Sequence, residues 1–108
     1  MIIKALNDMY KLDNDSINNT SIVYKAYIDD KSMIVYGDLG YEGGKRLIKD
    51  VDAEDLKTDI ICLAHHGQNG VGKEVYELAK PMIAIWPTTK KIYENIDGKY
   101  MTDDTKRW

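Results

Sequence analysis

The 108-residue sequence predicts an α/β protein built on a mixed sheet with helices on one face. Three observations predict it. Two apolar runs, Asp59 to Ala64 and Met82 to Trp86, read as strands buried on both faces. Helical segments separate the strands, so strand, helix, strand, helix and strand follow in order from Ser32 to Trp86. A polar turn, Asp29-Asp30-Lys31, folds two β-branched segments into a hairpin at the start of that series.

Ile2 to Leu6 reads as a short strand, and the Asn- and Asp-rich stretch Asn7 to Thr20 as a loop without helical period. Ser21 to Ile28 is β-branched and aromatic, hence a strand, and Ser32 to Tyr36 is its hairpin partner. Tyr41 to Val51 reads as a helix with an apolar stripe at Leu47, Ile48 and Val51, weakened at its start by Gly43-Gly44. Gly67 to Gly72 is a loop. Lys73 to Lys80 is a helix that turns Val75, Leu78 and Ala79 inward and is ended by Pro81. Thr89 to Asn95 reads as a short helix and Asp97-Gly98 as a turn, while Met101 to Trp108 is a polar tail with no assigned structure.

Length sets one domain, or part of one, over residues 1–108 with a modest core. The apolar fraction of 44% and charged fraction of 31% are those of an ordinary globular protein. A net charge of −3, with scattered Lys and Arg, argues against a general phosphate-backbone binder, so nucleic acid is not an expected partner. The single Cys62 excludes an internal disulfide framework and, inside an apolar run, reads as a small core residue. No apolar stretch approaches the ~20 residues of a membrane span. Met1-Ile2-Ile3 gives way to polar residues too soon for a secretory signal.

The chemistry gathers at two strand ends. The run Ile60-Ile61-Cys62-Leu63 empties into Ala64-His65-His66-Gly67-Gln68-Asn69-Gly70, which holds both histidines of the chain. Met33-Ile34-Val35-Tyr36 empties in the same way into Gly37-Asp38. Strand carboxyl ends are where α/β sheets build their sites, and a carboxylate beside an imidazole provides metal-ligand chemistry. Each group also has a plainer role. Asp38 can cap the following helix or turn. His65 and His66 can be polar loop residues, or one can be a core histidine bonded to backbone. Adjacent histidines on a strand point to opposite faces, so one of them can ligate while the other orients it or meets substrate. Gln68 and Asn69 can hold a substrate oxygen or merely satisfy loop backbone. Asn18-Asn19-Thr20-Ser21 suits backbone bonding beside the site. Trp86 is expected in the core, with pocket lining as its alternative.

As an ordered set, Asn18-Asn19-Thr20-Ser21-Ile22-Val23, Gly37-Asp38, Asp59 through His65-His66-Gly67, the helix to Lys80, Pro81 and the strand to Trp86 resemble the C-terminal half of a metallo-β-lactamase-fold hydrolase. The metallo-hydrolase domains of competence-type DNA-uptake proteins and choline-phosphate esterases are the nearest in kind. The resemblance implies half of an αββα sandwich. It implies that Asp38 bridges two zinc or manganese ions and that His66 is the last metal ligand, with His65 as ligand, supporting or substrate-facing group. Gln68 and Asn69 would be substrate-binding. Ions about 3.5–4 Å apart would activate a hydroxide for attack on an ester or phosphodiester.

The family's His-x-His-x-Asp-His signature is absent, as is a histidine before Gly37-Asp38. A catalytic zinc takes three protein ligands and a water, so the chain by itself is expected to bind no ion firmly and to be inactive. Three readings remain: a fragment of a metal-dependent hydrolase, a non-catalytic interaction module of the same half-fold, and an unrelated α/β protein in which Asp38 and His66 lie far apart. The few helices suffice for one sheet face only. The other face, expected to carry Val23, Ile34, Ile61 or Ile85, therefore needs a partner, either the missing half or a second copy in a homodimer.

Overall fold

In the computed structural model, which describes residues 1–108, five strands line up in chain order: β1 (Ile2–Ala5), β2 (Tyr24–Ile28), β3 (Lys31–Val35), β4 (Ile60–Cys62) and β5 (Ile83–Ile85). The first three pair antiparallel and the last three parallel, so the sheet is mixed, as expected for this α/β chain. Parallel neighbours need crossovers. Helices α1 (Tyr41–Asp50) and α2 (Ala53–Leu56) carry the chain from β3 to β4, and α3 (Lys73–Ala79) carries it from β4 to β5. Two short helices, α4 (Lys90–Glu94) and α5 (Thr102–Arg107), follow.

Side chains alternate across a strand, so the register assigns faces. Lys25, Ile34, Ile61 and Ala84 share one face. Ile34 and Ile61 are buried there with Val23, Tyr36, Leu39, Leu47, Leu56, Val75 and Ala79. Each buried Val, Leu or Ile side chain here stabilises the fold by about 1.5–3 kcal/mol. Lys25, a buried cation in this layer, donates its Nζ hydrogens to the carbonyls of Asp55 (2.9 Å) and Lys57 (2.5 Å). These carbonyls lie at the C-terminal end of α2, where backbone oxygens lack partners within the helix.

The weak glycine start of α1 has a packing reason. A methyl at Gly44 would press on Val71 at 2.9 Å, and one at Gly43 would overlap the Asn19 amide and Leu39. Gly40 precedes the helix and offers no capping side chain. The cap comes from across the fold. Asn19, fully buried in a 3-10 turn over Asn18–Thr20, accepts with Oδ1 from the amides of Gly40 (2.9 Å) and Gly43 (3.1 Å). It also donates Nδ2 to the Asn14 carbonyl at 2.8 Å. The helix's first amides thereby gain the acceptor that they lack within the helix.

Several expectations are corrected. Val23, Ile34 and Ile61 are not on the open face but under the helices. The opposite face carries two cross-sheet rows, Ile3-Ala26-Met33-Ile60-Ile83 and Ala5-Tyr24-Val35-Cys62-Ile85. Of the four residues named for that face, Ile85 alone lies on it, because the register sets Ile34 and Ile61 in line with Ala84 and so turns Ile85 to the other side. Strand β5 is not buried on both faces. It is an edge strand with all three residues exposed, and β4 is half-covered on its open side. Cys62 is accordingly half-buried on the open face rather than in the core, and its thiol pKa is raised by burial. The tail is no loose end, since Thr102–Arg107 is helical. Helix α2 was not legible in the sequence.

Two tyrosines tie stability to alkali. Tyr36 and Tyr76 meet edge to face with ring centroids 5.7 Å apart. Burial pushes the Tyr76 phenol up to about 12, and the Tyr36 phenol rises further for the same reason. Above an ordinary tyrosine pKa of about 10 the unfolded chain releases these protons while the folded chain keeps them. The unfolded state then binds fewer protons, so stability falls as pH rises. We expect the urea midpoint to be flat with respect to these groups up to about pH 9.5 and to fall steeply from pH 10 to 12, and Tyr36→Phe to blunt the fall. An unchanged slope in Tyr36→Phe would argue against the assignment.

Candidate functional site at the ends of two parallel strands

Strands β3 and β4 run parallel, so the loops after Val35 and Cys62 leave the sheet on the same side. They are tied together there, because the His65 amide donates to the Gly37 carbonyl at 2.8 Å. The Asp38 amide donates to Ser21 Oγ at 3.2 Å. Asn19 and Ser21 thus act on backbone beside the site, the structural role expected of that segment.

After Leu63 the chain makes a left-handed turn, with His65 at φ 46°, ψ 46° and His66 at φ 55°, ψ 22°. Gly67 continues it at φ 70°. Left-handed backbone costs about 1–2 kcal/mol for each residue that bears a Cβ. Hydrogen bonds hold it in place. Tyr76 Oη accepts from the Ala64 amide at 3.0 Å. The next four carbonyls are each engaged: His65 accepts from the Gln68 amide (3.0 Å), His66 from Trp86 Nε1 (2.7 Å), Gly67 from Thr105 Oγ1 (2.9 Å) and Gln68 from the Met101 amide (2.7 Å). Gly67 lies so close to the Trp86 indole that any side chain at this position would enter the ring.

This turn aims the His66 imidazole. Its Nδ1 lies 2.8 Å from the Pro87 carbonyl. A carbonyl only accepts, so the neutral ring carries its proton on Nδ1 and presents the lone pair of Nε2. That nitrogen lies 3.7 Å from Asp38 Oδ1, and both side chains are about 48% exposed. The structure therefore brings Asp38 and His66 together at a solvent-facing rim.

The other candidates are not drawn onto this pair. His65 is half-buried, and its Nδ1 is buried without a hydrogen-bond partner. Its ring centre is 6.2 Å from that of His66. Gln68 contributes backbone groups to the loop. Asn69 lines a separate hollow with Asp15, Asn19, Glu42 and Lys45 beside the start of α1. No three His, Cys, Asp or Glu side chains gather at one point. Trp86 is half-buried rather than a core residue, stacked edge to face on Tyr93 at 5.1 Å.

Thr105, Met101 and Pro87 were missed in the sequence. One signal was present for α5. Asp103-Asp104 followed by Lys106-Arg107 is the charge order that complements a helix dipole. Nothing in the linear pattern connects that helix to the histidine turn.

No family model, curated protein or solved structure matches the chain. Asp38 and His66 fit one flank of a zinc or manganese ion, with an anionic oxygen, a neutral nitrogen of set tautomer and open access. They fall one ligand short of the three that a catalytic zinc takes from protein.

Proposed function

We propose that this chain carries part of the site of a metal-dependent hydrolase of the metallo-β-lactamase superfamily, acting on an ester or phosphodiester and completed by ligands from a second half. The observation that supports this most is the meeting of Asp38 Oδ1 and His66 Nε2 at the ends of adjacent parallel strands, with His66 Nδ1 already occupied by a carbonyl. A ligating histidine usually has its second nitrogen engaged in this way. Chance placement of the two motifs predicts no such meeting. Zinc or manganese held there would supply a hydroxide at neutral pH, and Asp38 and His66 would anchor the ion on this side.

The chain has only two histidines, so their imidazole signals are separately assignable in nitrogen-proton spectra. Titrated manganese is expected to broaden His66 well before His65. Asp38→Asn should weaken the effect about tenfold. Equal broadening of both rings, or none in the millimolar range, argues against the reading. Hydrolysis of a generic phosphodiester is expected only when a polypeptide bearing His-x-His-x-Asp-His is joined to the chain.

The open sheet face favours a second reading, an interaction module that dimerises. Ile3, Tyr24, Ile83 and Ile85 are all exposed on that face. Its flat footprint, five strands of spacing ~4.8 Å by roughly 15 Å, is about 360 Å². A stable interface takes about 800 Å² from each partner. A homodimer on this face alone is therefore weak, whereas a covalently joined half acts at millimolar effective concentration. Light scattering at low micromolar concentration separates the two. A 12.4 kDa monomer counts against the module, and a tight dimer counts for it.

A further inference from the structure

We infer that Thr105 and Trp86 are positioning residues for His66, so that the C-terminal helix α5 is a working part of the site. The inference rests on the reading of Asp38 and His66 as a ligand pair. Its core observation is that consecutive carbonyls of the left-handed turn are held from outside it by side chains. Trp86 Nε1 donates to the His66 carbonyl at 2.7 Å, and Thr105 Oγ1 donates to the Gly67 carbonyl at 2.9 Å.

Geometry makes these bonds decisive. His65 and His66 both occupy a backbone region that L residues avoid, and the turn's own bond, from the Gln68 amide to the His65 carbonyl at 3.0 Å, leaves the His66 and Gly67 carbonyls to be held from outside. If it relaxes towards ordinary backbone, the imidazole swings away from Pro87 and Asp38. Thr105 is buried, and its hydroxyl also lies 3.2 Å from the Met101 carbonyl of its own helix. The Gly67 bond is the shorter of the two and spans 38 positions of chain. Trp86 is braced from behind by Tyr93, over whose ring Lys106 of α5 sits at 4.2 Å. Tyr93 and Lys106 thus connect Trp86 to the same helix.

The test uses the chain as it stands. Nitrogen shifts of the imidazoles report which ring nitrogen carries the proton, and manganese broadening reports ligation. Thr105→Val keeps the shape and removes the donor, Trp86→Phe removes the indole N–H, and Thr105→Ser restores the donor. In the parent chain His66 is expected as the Nδ1–H tautomer. Thr105→Val and Trp86→Phe should each mix its tautomers and weaken manganese broadening about tenfold, leaving His65 unchanged, while Thr105→Ser recovers both readouts. If both variants stay folded with the His66 tautomer intact, or if Thr105→Ser fails to rescue, the inference is overturned. The same holds if stability falls while the His66 shifts do not move. If the tautomer responds although the parent chain binds no manganese, the positioning role stands and the metal reading fails. If the parent binds manganese and neither variant alters binding or tautomer, the metal reading stands and the positioning role fails.

Discussion

Gly67→Ala is expected to lower the unfolding free energy by about 3–5 kcal/mol, the sum of left-handed strain, overpacking and a lost hydrogen bond. Gly67 sits at φ 70°, where a Cβ is strained whatever space surrounds it. There is also no space, because the new methyl would lie inside the Trp86 ring. The indole must move, which withdraws its N–H from the His66 carbonyl and breaks its edge contact with Tyr93. Domains of this size hold only about 5–15 kcal/mol in total, so the variant should sit near the edge of folding. Urea titration checks it, with a much lower midpoint at an unchanged slope. A loss below about 1 kcal/mol would mean that the turn yields cheaply, and the account of His66 as a rigidly aimed group would fail with it.

The second large effect is expected at Asn19. Asn19→Ala removes the shared acceptor of the Gly40 and Gly43 amides and the donor to the Asn14 carbonyl, all from a fully buried position. Leaving buried polar groups unpaired costs about 1–3 kcal/mol each, so a loss of about 3–4 kcal/mol is expected. Asn19→Asp keeps the acceptor at the start of α1, where the helix dipole favours negative charge, but it buries a carboxylate and sets its second oxygen against the Asn14 carbonyl, so it too should lose stability. Urea titration orders the three proteins, and hydrogen exchange at the Gly40 and Gly43 amides should quicken most in the alanine variant. Unchanged exchange at these two amides in the alanine variant would show that the cap is not what Asn19 contributes.

Much of the frame was legible in the sequence because its signals are local. Two β-branched segments around Asp29-Asp30 announced the hairpin, and the stripe through Leu47 announced α1. Apolar runs placed β4 and β5 to within one or two residues. Burial was read less well. An apolar run says that a strand is hydrophobic, but not whether a layer exists to cover it, and so Met82 to Trp86 reads as buried on both faces where Ile83 and Ile85 form an exposed edge. Face parity failed for a similar reason. A shift of one residue exchanges the two sides of a strand, and only the paired register of β3 with β4 decides which side the helices take.

The site divides in the same way. Gly37-Asp38 and His65-His66-Gly67 stood out because each is polar chemistry at the end of an apolar run. The bond from Asn19 to α1, and those from Thr105 and Trp86 to the histidine turn, join residues about 20 to 40 positions apart and leave no periodic trace. Asn69 drew attention by its proximity in sequence to the histidines, yet it lines a different hollow. Neighbours in a turn of reversed handedness do not point the same way.

The sequence by itself determined the α/β class, the order of its strands and major helices, and the two strand ends at which a carboxylate and an imidazole emerge. Periodicity and residue type are local properties, and these conclusions need nothing more. Only the tertiary structure decided that Asp38 and His66 meet, which imidazole nitrogen is presented, which sheet face stands open, and that the polar tail returns as a helix to grip the histidine turn. Those outcomes depend on register, on backbone handedness and on hydrogen bonds between distant segments, and these exist only once the chain has closed on itself.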